Sequence, residues 1–294
     1  MKGLNYMPSD EKIIKKEIVD FEPFHIFECG QCFRWNMEDD GSYTGVAHGK
    51  VLNVQKEGKT IIFRNVDEED FYNIWENYFD LKRDYSMIEN RLSELDETMN
   101  KAVAFGHGIR ILNQDPWETL VSFIISANNG IGRIKGIVEA LSENYGDDLG
   151  VFMGKRRYGF PSAQRLAMLK AEDIRACGAG YRDEYIQNAA KVISGKGKWL
   201  ESLCKMDTAD AREKLIELKG IGPKVSDCIL LFSMEKMDTF PVDVWVKRTM
   251  EYFYLPPKST PEAINRFAEE YFGDMKGFAQ QYLFYYARAN NIGK

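Results

Sequence analysis

Apolar and polar positions change their period along this chain. From Gly30 to Asn65, GQCFRWNMEDDGSYTGVAHGKVLNVQKEGKTIIFRN, aromatic and β-branched residues fall in short runs punctuated by Asp40-Gly41 and Glu57-Gly58. Runs of that kind, separated by acid-Gly pairs, predict antiparallel strands joined by hairpin turns. After Asn65 the period lengthens. Phe71, Ile74, Trp75 and Tyr78 recur at helical spacing behind an Asp67 cap with Asp70 three residues on, and helical patterns dominate from there.

The clearest helix start is Asp115-Pro116-Trp117-Glu118: a cap, a proline at the first helical position, and an acid placed to reach back to the cap. Its continuation TLVSFIISA is apolar nearly all round, which predicts a buried central helix delivering Asn128 and Asn129 at its C-terminal end. Further helices are expected over 131–145, 162–176, 182–194, 207–219, 223–236, 243–253 and 261–290, the last broken at Gly277. The pattern predicts an α+β protein, with an N-terminal antiparallel β-sheet domain over 1–112 and a mainly helical domain over 113–294.

Charge adds a class of partner. The 294 residues carry 39 basic and 45 acidic side chains, a net charge of −6. Such a chain still binds polyanions if its basic residues gather locally. Residues 128–224 hold 17 basic against 13 acidic residues, among them Lys155-Arg156-Arg157 and the cations Arg133, Arg182, Lys219 and Lys224 beside turn glycines. This middle third is the candidate polyanion face, although an unevenly charged solvated surface gives the same count.

Five scattered cysteines argue against a disulfide framework and for a reducing compartment. No apolar run is long enough to span a membrane, and MKGLNYMPSDEKIIKKEIVDF lacks the features of a secretory signal, so a cytoplasmic protein is expected. Cys29-Gly30-Gln31-Cys32 has no second pair to complete four zinc ligands and reads as a strand-edge pair flanking a glycine. His25, His48 and His107 are too dispersed to suggest a metal triad, and no metal site built from side chains is expected.

The chemistry concentrates in Leu215–Met250, LIELKGIGPKVSDCILLFSMEKMDTFPVDVWVKRTM. A helix ends near Lys219, Gly220-Ile221-Gly222 turns tightly, and Pro223 opens a second helix. Two glycines let backbone amides face outward beside a helix N-terminus, which suits a phosphate oxygen. Lys224 sits in that helix's first turn, where the dipole favours a neutral, nucleophilic amine. Asp243 follows a proline nineteen residues later and should cap the next helix, which keeps it ionised. Together they make a nucleophile and an electrostatic stabiliser for an oxocarbenium-like sugar. Taken singly, each is also what a surface lysine and a structural cap look like.

With these residues in place the chain resembles the helix-hairpin-helix DNA glycosylases, and within them the 8-oxoguanine DNA glycosylases, from about Gly30 to Arg288. The motifs are GIGPKVSDC, PVDVW, Asn128-Asn129-Gly130-Ile131-Gly132-Arg133, Gly180-Tyr181-Arg182, Gly30-Gln31-Cys32-Phe33-Arg34-Trp35 and Ala279-Gln280-Gln281-Tyr282-Leu283-Phe284. The resemblance implies that Lys224 attacks C1′ of the damaged nucleotide with help from Asp243. It implies a base slot of Gly30, Cys228, Phe232, Gln280 and Phe284, in which the Gly30 carbonyl accepts from the N7 hydrogen that distinguishes 8-oxoguanine from guanine. DNA contacts fall to Asn128, Asn129, Arg133, Tyr181, Arg182, Gly220, Gly222 and Trp245, with Arg133 and Arg182 on an orphaned cytosine.

Helix geometry agrees, since Lys224, Cys228 and Phe232 share one row, as do Gln280 and Phe284. The implied partner is double-stranded DNA containing oxidised guanine, the implied state a monomer. No cofactor is required, though a monovalent cation on the hairpin carbonyls is compatible with the family. The chain departs from the family pattern at Gly130, Phe232 and Trp245, and has no cysteine beyond Cys228 for the iron-sulfur branch. Two rivals stay open: a glycosylase for alkylated or other damaged bases, and a non-catalytic module that binds damaged DNA.

Overall fold

The computed structural model describes residues 12–293; residues 1–11, the first half of the opening segment read for a signal and the start of the N-terminal domain, lie outside them. The fold is α+β. Five antiparallel strands, β1 (Ile13–Glu17), β2 (Trp35–Met37), β3 (Tyr43–Ala47), β4 (Lys50–Glu57) and β5 (Thr60–Arg64), lie in the order β1-β5-β4-β3-β2. The two expected turns are present: Asp40-Gly41 closes β2–β3, with the Asp40 carboxylate accepting the Ser42 N–H at 3.0 Å, and Glu57 pairs with Thr60 across the second. Pairing begins only at Trp35, so residues 30–34 are not strand, and β1 is an edge strand the apolar pattern did not reveal.

One face of the sheet buries Trp35, Tyr43, Leu52, Val54 and Phe63 against Phe27, Phe71, Trp75 and Phe79. Phe27 stacks on Trp35 at 4.1 Å between centroids, and the Trp35 indole N–H donates to Tyr78 Oη at 2.7 Å. Asp67 caps the following helical segment through the Asp70 N–H, and the winding widens over Phe71–Trp75.

The Pro116–Ser126 helix is the axis of the larger core. Every residue from Thr119 to Ile125 is buried, and Asp115 accepts the Glu118 N–H at 2.8 Å. Glu118 itself turns to Arg34, 3.8 Å away, instead of reaching back to the cap. The buried side chains group differently from chain order, because the helices Tyr85–Ser93 and Glu97–Phe105 share the core of the C-terminal helices, not that of the sheet.

Three other expectations need correcting. The helix over 162–176 is two short ones, Ala163–Ala167 and Ala171–Ile174, because the Asp173 carboxylate accepts the Lys170 N–H at 2.9 Å and starts the chain afresh. The last long helix breaks at Gly273 (φ 55°), while Gly277 lies inside Lys276–Ala289 with its N–H on the Met237 carbonyl. A second hairpin, β6 (Asp148–Phe152) and β7 (Lys155–Tyr158), crosses the middle third. Lys155 and Arg157 there pair with Glu38 of the N-terminal domain at 2.8 and 2.6 Å, and Arg156 pairs with Asp148 within the hairpin, so each cation of the triplet has an acidic partner. No helix among the described residues is long and apolar enough to cross a membrane.

Candidate active site

Two helix starts form one wall of a cleft. The Thr208–Ile216 helix leads into a turn at Gly220, whose φ of 92° and position beside Tyr185 exclude a side chain: a Cβ would lie 2.6 Å from the Tyr185 ring. Gly222 then caps the Pro223–Ser233 helix with proline in its first turn. Lys224 follows, its Nζ 3.4 Å from Ser126 Oγ and 5.3 Å from the centre of the Phe123 ring. Phe232 stacks on Phe123 at 5.5 Å and 16°, buried behind the lysine.

Burial pushes the Cys228 thiol up to about 11 against the opposing pull of the Lys224 charge, so near neutral pH it stays a thiol and does not compete as a nucleophile. Asp243 caps the Val244–Phe253 helix, its carboxylate accepting the Val246 N–H at 2.8 Å. Lys224 and Asp243 line a cleft of about 790 Å³ together with Asn128, Asn129, Trp245 and Lys247, the last of which the sequence did not single out.

The loop after the central helix carries the exposed Asn128 at φ 51°. Arg182 holds it from beneath: its guanidinium donates to the carbonyls of Ala127 (3.1 Å), Asn128 (3.2 Å) and Ala179 (3.4 Å). Asn129 Nδ2 donates to the Ile125 carbonyl at 3.2 Å. Tyr181 is exposed, edge-on to Tyr185 and 4.4 Å from the Arg182 guanidinium. Arg133 is exposed and has no hydrogen-bond or ion-pair partner among the described residues. Of the two arginines the sequence paired, one is occupied by backbone carbonyls and the other has all its donors available.

A second wall, built by Gly30 against the Lys276–Ala289 helix, lies outside the lining of that cleft. Gly30 follows the short helix Pro23–Glu28 at φ 91°, and a Cβ there would lie 2.9 Å from Arg288 Nη1, 3.2 Å from Phe284 Cε1 and 3.3 Å from Ile131 Cδ1. Gln280 is buried, with Nε2 on the Pro241 carbonyl at 3.2 Å and Oε1 without a partner. A seam of polar contacts seats this wall. Gln31 Nε2 donates to the carbonyls of Ile26 (3.0 Å) and Arg110 (2.7 Å), while its Oε1 accepts the Leu112 N–H at 2.9 Å. Gln281 Nε2 donates to the Cys29 carbonyl at 3.1 Å, and the buried Arg34 lies between Glu118 and Glu139. None of these seam roles was visible in the sequence.

Cys29 and Cys32 are free and buried, and burial raises both thiols, Cys29 to about 11. Cys29 caps a helix, where the sequence suggested a strand edge, because Pro23 starts a helical turn there. Among the described residues Asp20, Glu89 and His107 do converge, His107 Nδ1 lying 2.7 Å from Glu89 and Nε2 3.6 Å from Asp20. Glu89 also accepts from the Gly108 N–H and the Tyr282 hydroxyl, so the group is a hydrogen-bonded tie between helices.

Residues 13–120 match the family described as 8-oxoguanine DNA glycosylase, N-terminal domain, and residues 121–273 match the HhH-GPD superfamily base excision DNA repair proteins. The 8-oxoguanine glycosylase/lyase of Clostridium acetobutylicum, solved in complex with dsDNA containing cytosine opposite to 8-oxoG, is 44% identical with a TM-score of 0.93; 97% of this chain and 98% of that one are covered. The Arabidopsis thaliana N-glycosylase/DNA lyase OGG1 is 32% identical over 281 residues, 88% of this chain and 75% of that protein. A 3-methyladenine DNA glycosylase from Archaeoglobus fulgidus shares the fold alone, at 21% identity and a TM-score of 0.76 over 94% of this chain and 98% of that one.

Proposed function

This chain belongs to the 8-oxoguanine DNA glycosylase family, an N-glycosylase and DNA lyase of the helix-hairpin-helix superfamily, and from that membership we propose how its own residues carry out the reaction. Duplex DNA lies across the hairpin, whose Gly220 and Gly222 amides meet a phosphate, and 8-oxoguanine is extruded into the slot between Gly30 and the helix bearing Gln280 and Phe284. The Lys224 amine attacks C1′; the C–N bond to the enzyme forms as the glycosidic bond breaks, and the base leaves with the electron pair and takes up a proton. Asp243 holds a negative charge beside the sugar as it becomes oxocarbenium-like. Ring opening gives an imine at Lys224, and loss of a C2′ proton then expels the 3′-phosphate.

The opposite strand supplies the second half of the reading. An orphaned cytosine offers N3 and O2 as acceptors, and Arg133 has only donors, all available. Asn128 fills the vacated stack, Tyr181 wedges beside it, and Arg182 keeps their loop in place. Excision opposite cytosine then exceeds that opposite adenine. The enzyme works as a monomer with no organic cofactor, and the hairpin carbonyls offer a seat for a monovalent cation.

The observation that carries this reading is that Lys224 and Asp243, each fixed by its own helix start, line one cleft with Asn128 and Asn129. Borohydride tests it. Wild-type protein should be trapped covalently on an 8-oxoguanine duplex and Lys224→Gln should bind without trapping; trapping that survives the substitution removes Lys224 from the role.

A further inference from the structure

The helix Lys276–Ala289 carries two buried polar atoms without partners, Gln280 Oε1 and Arg288 Nη1. They lie one turn to either side of Phe284, in the row Gln280, Phe284, Arg288. The Arg288 guanidinium sits 5.3 Å from the centre of the Phe284 ring and donates through Nη2 to the Glu28 carbonyl. Its Nη1 faces Gly30, 2.9 Å from where a Cβ on that residue would stand. A charged donor buried without an acceptor is costly, and native proteins keep few of them. Arginine cannot shed the cost by deprotonating.

We propose that Arg288 is a further specificity-determining residue, whose Nη1 donates to the O8 carbonyl oxygen of the bound base. The assignment rests on the reading of the slot given above, in which Gln280 meets the Watson–Crick edge and Phe284 the ring face. A purine laid along this row then presents its imidazole end to Arg288 and Gly30. At that end 8-oxoguanine differs from guanine twice: N7 carries a hydrogen, and C8 carries an oxygen. The Gly30 carbonyl accepts from the first and Arg288 donates to the second. Guanine offers a lone pair to the carbonyl and a C–H to the guanidinium, so both protein groups stay unsatisfied and the normal base is penalised at two adjacent atoms.

The test is single-turnover excision of 8-oxoguanine and 8-thioguanine from the same duplex by the wild type and Arg288→Met. 8-Thioguanine keeps the N7 hydrogen but replaces O8 with a weakly accepting sulfur. The wild type should prefer 8-oxoguanine by about tenfold, and Arg288→Met should bring the ratio close to one by slowing 8-oxoguanine. Arg288→Gln, which keeps a neutral donor, should fall between them and decides the matter if the methionine variant does not fold. A residue that only pins the Glu28 carbonyl and the Phe284 ring slows both substrates alike, so an unchanged ratio overturns the proposal, as does a ratio that falls because 8-thioguanine is excised faster. A wild type that excises neither base overturns the slot reading and the proposal together.

Discussion

The candidate site has two walls, only one of them lining the cleft, and they are specified in different ways. The lysine wall is local: within Leu215–Met250 a glycine turn, a proline start and an aspartate cap fix Lys224 and Asp243 on two successive helix N-termini. The opposite wall is assembled from residues that meet only after the chain has folded. Gly30 stands against Phe284 and Arg288, and its neighbours are tied down by Gln31 to Arg110, Gln281 to Cys29 and Arg288 to Glu28. On the proposed function the difference separates the reaction from its selectivity. Backbone rules place the lysine proposed to attack the sugar, whereas a long-range seam places the groups proposed to read the base, and changes to each wall should have different consequences.

On the lysine wall Asp243→Asn should keep the cap, since asparagine caps as well as aspartate, while removing the charge beside the sugar. Excision in single turnover should fall by about 100-fold with the melting temperature nearly unchanged; a near-normal rate would detach Asp243 from the chemistry. On the seam, Gln31→Leu strips partners from three buried backbone groups and should lower the unfolding free energy by about 2–4 kcal/mol in urea titrations. Lys224 should still form its imine in whatever fraction remains folded.

The loop carrying Asn128 sharpens the contrast between the two arginines beside it. Arg133→Ala should flatten the ranking of excision opposite C, A, G and T without changing stability, whereas Arg182→Ala should cost about 1–3 kcal/mol of stability because the carbonyls of Ala127 and Asn128 lose their donor. Identical ranking in the wild type and Arg133→Ala would exclude Arg133 from the opposite base. A further effect is one of pH. Burial pushes Glu118 up to about 7, against the pull of Arg34, from an ordinary value of 4.5. A raised carboxyl contributes its full stability below the unfolded value and loses it as pH rises through the folded one. The stability of Glu118→Gln relative to the wild type should therefore climb between about pH 4.5 and 7 and stay flat above; a flat difference throughout would mean that Glu118 is not held in a desolvated site.

What the sequence disclosed follows the same division. Asp67, Asp115 and Asp243 were legible as caps, Pro116 and Pro223 as helix starts, and Asp40-Gly41 and Glu57-Gly58 as turns, because each acts within a few residues. β1 lacks alternation in Ile13-Ile14-Lys15-Lys16, and β7 is written almost entirely in cations, two of which, Lys155 and Arg157, find their acidic partner Glu38 in the other domain. The hold of Arg182 on the Ala127 and Asn128 carbonyls was not legible, because they lie more than fifty residues away in the chain. Arg288 carried no signal, since its meaning depends on Gly30 and on an unfilled donor that only the folded chain displays.

The most direct measurement sets one residue of each wall against two substrates, an 8-oxoguanine duplex and the same duplex with a preformed abasic site. Lys224→Gln should lose both base excision and strand nicking. Gly30→Ala, strained by about 1–2 kcal/mol at φ 91° and crowding Phe284 and Arg288, should lose excision of 8-oxoguanine but nick the abasic strand near the wild-type rate at a temperature where it is folded. If Gly30→Ala loses both reactions in parallel, or keeps both, the two walls do not divide selectivity from chemistry and the account is wrong.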